Sequence, residues 1–119
     1  MSLGQLQRDF ARDIPRLIDK AHELGFAVTL GDAFRDPRSH GKVGERIAYG
    51  NRFSCHKLKL AIDLNLFRWD VEQKRWVYCT STEDHRELGE WWEAQDVLNC
   101  WGGRFGDGNH YSKTFDGMK

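Results

Sequence analysis

The chain has 119 residues, with 18 Lys plus Arg against 18 Asp plus Glu, so its formal net charge is zero and it has no bulk field to hold nucleic acid or an anionic membrane. That length makes a single domain, 1–119, able to bury well over half of its unfolded surface without disulfides or metals for stability, so a metal bound here would serve chemistry. No apolar run reaches the length of a membrane span and the opening "MSLGQLQRDFARDIP" is charged within its first dozen residues, so the expectation is a product made in the cytoplasm without a signal peptide.

From residue 4 to about 24, Leu6, Phe10, Ile14, Leu17, Ile18, Ala21 and Leu24 recur at helical spacing, and Gly25 closes the stripe. Pro15 interrupts it, which predicts a kink or two shorter helices. "FAVTLGDAFR" (26–35) reads as a strand entering a turn at "DPRSHG", and 38–52 reads as a long polar loop of the kind that borders a site. In "FSCHKLKLAIDLNLF" (53–67), Leu58, Leu60, Ile62, Leu64 and Leu66 alternate with Lys59, Ala61, Asp63 and Asn65. The alternation predicts a strand with Asp63 on the face away from the core.

"KRWVY" is the expected hairpin partner of that strand. "STEDHRELGEWWEAQ" reads as a helix capped by Ser81 or Thr82, with Leu88, Trp91 and Trp92 as its buried face. "NCWGGRFGDGNHYSKTF" reads as a short strand, a tight turn and another short strand. Helices flanking a small antiparallel sheet make an α+β fold.

Three cysteines, Cys55, Cys79 and Cys100, form neither an even set nor a C-x-x-C pair, which predicts reduced thiols. Cys55 is expected to pack away from whatever His56 faces. Of the five histidines, His22, His40 and His85 are expected at the surface. His56 and His110 each belong to a group, "SCHKLKLAID" with Asp63 and "GDGNH" with Asp107. Two histidines and a carboxylate make a catalytic zinc set with the fourth position left to water.

A straight strand would hold His56 and Asp63 about 23 Å apart on opposite faces, and a helix would leave them about 10 Å apart along its axis. Joint ligation therefore requires a bend between Lys57 and Leu60. Asp107, three residues before His110 across a glycine turn, sits where a general base belongs: it would take a proton from the attacking water and deliver it to the leaving amine. The loop lacks the Lys-Ser/Thr of a phosphate loop, and a calcium loop starting at Asp107 would need Glu where Met118 stands.

These paired motifs resemble the Ser-x-His-x6-Asp and Glu/Asp-x-x-His signatures of the VanY-like zinc peptidases that cut peptidoglycan stem peptides, a group that includes D-alanyl-D-alanine carboxypeptidases and phage L-alanyl-D-glutamate endolysins. The resemblance runs from "GDAFRDP" through "NHYS". It implies a Hedgehog/D,D-peptidase-like fold, Zn2+ held by His56, Asp63 and His110, and Asp107 as the catalytic acid/base. Arg35 and Ser54 fall at substrate-side positions, Arg35 to hold the substrate or its developing oxyanion and Ser54 to support the site beside His56. Many relatives carry glycine where this chain has Lys59, so the bend must form without it.

The function implied is a monomeric endolysin of phage or prophage origin, released from the cytoplasm onto the cell wall. Its rivals are a D-alanyl-D-alanine carboxypeptidase or dipeptidase and, in another class, a catalytically silent zinc-binding or wall-binding module. The aspartate before "GNH" favours the endolysin branch.

Overall fold

A computed structural model describes residues 2–46 and 54–119. Helix α1, Leu3–Glu23, starts where the Ser2 hydroxyl accepts the Gln5 N–H. It stops where Gly25 turns left-handed (φ 94°), with the Phe26 N–H reaching back to the Ala21 carbonyl. Its apolar stripe packs as the spacing predicts: Leu6, Phe10, Leu17 and Ala21 are buried, and Ile14, Ile18 and Leu24 lie against them. Pro15 does not divide the helix, so of the two outcomes expected, a kink or two shorter helices, the second is absent. One lost hydrogen bond and ring crowding cost about 3 kcal/mol, whereas each large apolar side chain buried on either side of Pro15 returns about 1.5–3 kcal/mol.

Strand β1, Ala27–Leu30, leads to a one-turn helix α2, Pro37–His40, in place of the simple turn expected at "DPRSHG". The part of the expected long loop at 47–52 lies outside the described residues. A 3-10 turn, Cys55–Leu58, then precedes strand β2, Ala61–Asp70. Strand β3, Arg75–Tyr78, returns as the hairpin partner. A second 3-10 turn, Thr82–His85, opens helix α3, Arg86–Gln95, and the Ser81 and Asp84 side chains exchange bonds with each other's backbone N–H in a capping box. Strand β4, Asn99–Trp101, a third 3-10 turn, Gly102–Phe105, and strand β5, His110–Lys113, complete the chain.

The described strands form one five-stranded antiparallel sheet in the order β1-β2-β5-β4, with β3 pairing the outer half of β2. Ile62, Leu64 and Leu66 of β2 enter the core with Leu88 and Trp92 of α3, and Phe10 meets the Trp92 ring edge-on with centroids 6.0 Å apart. Trp91, expected on the buried face of α3, is only half-buried. The protein is thus a single α+β domain whose helices lie against its sheet. The odd residues of β2, Asp63 among them, point the other way. Among the described residues no helix is long and apolar enough to cross a membrane.

Candidate metal centre

The expected bend is present, and a lysine makes it. Lys59 adopts the left-handed conformation (φ 58°, ψ 35°) that closes the Cys55–Leu58 turn, where its N–H bonds the Cys55 carbonyl. A non-glycine residue there carries a backbone penalty of about 1–2 kcal/mol. The neighbouring Lys57, itself buried, offsets part of it by donating through Nζ to the carbonyls of Lys42 and Glu45, which ties the loop before the site to the turn. The turn reverses the chain, so His56 comes back over β2, and the strand starts at Ala61 rather than within the 58–60 stretch.

Asp63 pairs directly with His110 across β2 and β5. Three atoms from separate chain segments converge there. His56 Nε2 stands 3.1 Å from Asp63 Oδ1 and 3.2 Å from His110 Nδ1, and His110 Nδ1 stands 3.6 Å from Asp63 Oδ1. His56 Nδ1 lies 2.9 Å from the Ala33 carbonyl oxygen, which can only accept, so Nδ1 carries a proton and, in the neutral ring, Nε2 presents a lone pair. With that ring neutral, its Nε2 and the ionised Asp63 carboxylate face each other as acceptors. His110 Nε2 is buried with no hydrogen-bond partner among the described residues, as a bare lone pair when the proton is on Nδ1 and as an unpaired N–H when Nδ1 is the ligating atom.

A cation at the centre removes the conflict at all three atoms at once. Ligand atoms around a tetrahedral ion with bonds of about 2.0–2.1 Å stand about 3.3 Å apart, and the three observed separations bracket that figure. His56, Asp63 and His110 could therefore hold a metal ion. Burial raises the Asp63 carboxyl, but hydrogen bonds and positive charge from His110 and His56, present when those rings are protonated, outweigh it and bring the group down to about 2; a cation at the centre stabilises the carboxylate in the same sense when the rings present lone pairs.

Asp107 lies outside the triangle, its Oδ2 4.0 Å from His110 Nδ1, and its side chain is 54% exposed while both histidine rings are buried. Ser54 is buried and its hydroxyl accepts from the His56 backbone N–H (3.2 Å) and from Arg35 Nη1 (3.1 Å). Arg35 also donates through Nε to Asp32 (3.4 Å), and its backbone N–H bonds the His56 carbonyl. Every expected site residue thus gathers at one end of β2.

The histidine expectations fare unevenly. His22 is exposed and His40 half-buried, whereas His85 is buried, with Nδ1 2.8 Å from the Tyr111 hydroxyl. A first-turn position usually faces solvent, but here the 3-10 turn rolls His85 under β5. Cys55 does face away from the site, its thiol donating to the Lys113 carbonyl. Burial pushes that thiol up to about 12, which removes it as a nucleophile. Cys79 and Cys100 are also buried, and all three are free thiols.

Two contributors escaped the sequence reading. The Ala33 carbonyl sets the His56 tautomer, and no side-chain pattern announces it. Gly102 lets two site segments meet, because a Cβ there would lie 2.2 Å from the Asp107 carbonyl oxygen and 2.6 Å from His110 Cβ. The adjacent pair Gly102–Gly103 was the available signal. No family model and no curated protein sequence matches this chain.

Proposed function

We propose that the protein is a zinc-dependent peptidoglycan peptidase of the VanY-like kind, with the Hedgehog/D,D-peptidase-like fold, acting as a monomeric L-alanyl-D-glutamate endolysin on the cell wall. The observation that carries this reading is the convergence of His56 Nε2, Asp63 Oδ1 and His110 Nδ1, with an exposed carboxylate 4.0 Å from one of them and outside the group. Two imidazoles and one carboxylate suit zinc, and three protein ligands are the number that leaves a position open for chemistry.

Zinc, when bound, supplies the Lewis acidity that makes water nucleophilic near neutral pH and polarises an amide carbonyl. The chain's own residues do the rest. The Ala33 carbonyl holds the His56 ring in its ligating tautomer, the role an outer hydrogen bond plays for a metal-binding histidine. Asp107, open to solvent, accepts the proton of the attacking water and returns it to the departing amine. Arg35, fixed by Asp32 and Ser54, pairs with the substrate's carboxylate or its developing oxyanion. The buried histidine rings close the floor of the site, so substrate approaches from the Asp107 side.

Product analysis tests the assignment. Zinc-loaded protein acting on intact sacculi is expected to expose amino-terminal D-glutamate and to solubilise the wall. Release of D-alanine alone would shift the bond to that of a carboxypeptidase. Absence of any cleaved amide would reject the peptidase.

A further inference from the structure

The odd residues of β2 continue past Asp63 as Asn65, Phe67 and Trp69, all on one face of the sheet. Register places Phe67 opposite Tyr78 and Trp69 opposite Trp76 on β3, and the ring centroids are 5.4 Å apart in each pair. Trp69, Trp76 and Tyr78 are each about half exposed, unusual for three large aromatics in one patch. The planes cross at 56° and 69° rather than lying parallel, so the rings do not cover each other's faces.

This ladder is continuous with the candidate centre in two ways. Along β2 the first pair lies about 13 Å from Asp63 and the second about 20 Å. Across the sheet, Tyr78 also lines a polar cavity of about 210 Å³ together with Asp107 and Asn109.

We propose that the β2–β3 hairpin is a glycan platform, on which sugar rings of the wall polymer stack against Phe67–Tyr78 and Trp69–Trp76 while a stem peptide runs to the metal centre. The proposal rests on the peptidoglycan reading above. Its chemistry favours this occupant over others. Asn65, Phe67, Trp69, Trp76 and Tyr78 carry no formal charge, so nothing on the ladder would neutralise a polyanion's phosphates. Three half-exposed rings and the partly buried Phe67 offer roughly 250–400 Å², since a whole aromatic side chain accounts for about 150–250 Å². A stable protein interface needs about 800 Å² from each partner.

A pyranose meets such a patch with its C–H face on the rings, while its hydroxyl and acetamido edges can bond indole N–H and phenol O–H groups. Successive pairs are two residues apart, about 6.6 Å, the scale of one sugar ring. With the cut next to the first stem residue, the sugar bearing that stem lies close to the centre, and the platform takes neighbouring sugars of the same strand.

The test separates glycan binding from catalysis. Retention of the metal-loaded protein on insoluble glycan stripped of its peptides is measured for the parent chain, for W69A/W76A and for W69F/W76F, with circular dichroism as the folding check and Trp76→Ala as the single-site fallback. The parent is expected to be retained, the alanine pair to bind at least about tenfold more weakly, and the phenylalanine pair to recover much of the loss. Turnover of sacculi by the alanine pair should fall about tenfold further than turnover of a soluble sugar-free stem peptide. No retention of the parent, or equal retention of the alanine pair, would overturn the platform. Binding to phosphatidylglycerol vesicles without binding to stripped glycan would overturn it in favour of a lipid-facing surface. Stripped-glycan binding without amide cleavage would leave the platform standing and reject the peptidase, and cleavage of free stem peptide without glycan binding would do the reverse.

Discussion

Gly102→Ala is the substitution whose effect the geometry specifies most closely. The added Cβ would sit 2.2 Å from the Asp107 carbonyl oxygen, about 0.8 Å inside the 3.0 Å that real Cβ contacts respect, and 2.6 Å from His110 Cβ. Both neighbours are backbone or backbone-proximal, so neither can rotate away. The Asp107 N–H donates to the Gly102 carbonyl at 2.8 Å, which leaves the loop bearing the acid to move as a unit by close to 1 Å. Displacement of that size in a catalytic arrangement costs about 10²-fold in turnover, and the overpacking itself about 1–3 kcal/mol in stability. The assay pairs turnover of a stem peptide with metal content by mass spectrometry and with chemical denaturation.

Gly106→Ala is the control. Gly106 has φ 80° and nothing within 4 Å of an added Cβ, so that variant should lose about 1–2 kcal/mol through backbone strain with much smaller loss of turnover. Wild-type turnover in Gly102→Ala, or equal turnover losses in the two variants at equal stability, would refute the reasoning.

Asp107→Asn is expected to keep its metal and lose about 10²-fold or more in turnover; metal loss would make Asp107 a ligand, and near-normal turnover would end its role as base. His56→Ala should reduce metal content together with activity, and full occupancy would remove His56 from the ligand set. Chelation should abolish activity until zinc is restored while the chain stays folded at a lower Tm, because the core of α1, β2 and α3 forms without the centre; unfolding on chelation would mark the site as structural. Burial pushes His85 down to about 4 against the pull of Asp84, so the unfolded chain binds the extra proton between about pH 6.5 and 4. Stability should therefore fall as pH drops through that window, by on the order of 3 kcal/mol in all, and denaturation midpoints of wild type and His85→Gln that track each other across it would show that His85 is not the group responsible.

Local sequence determined much of the site. The alternation at 60–66 fixed which face of β2 receives Asp63, because a one-residue slip would have driven the carboxylate into the leucine core. Spacing alone demanded the bend that Lys59 makes, since no regular element brings side chains seven residues apart within 3.1 Å. The stripe of α1 was equally legible, and Ser81 is a cap as expected, though of the 3-10 turn Thr82–His85 that leads into α3 rather than of α3 itself, both being contests between neighbours in the chain.

Tertiary structure decided the rest. Pro15 sits in an unbroken helix because burial on both sides outweighs a local penalty, and His85 is inside because β5 covers it. The partner of Asp63 is His110, 47 residues away in the chain, and only the pairing of β2 with β5 supplies it. The Ala33 carbonyl and the missing Cβ of Gly102 shape the centre through backbone atoms, which every residue type possesses. Their importance arises from where the fold brings them, and that depends on contacts distant in sequence.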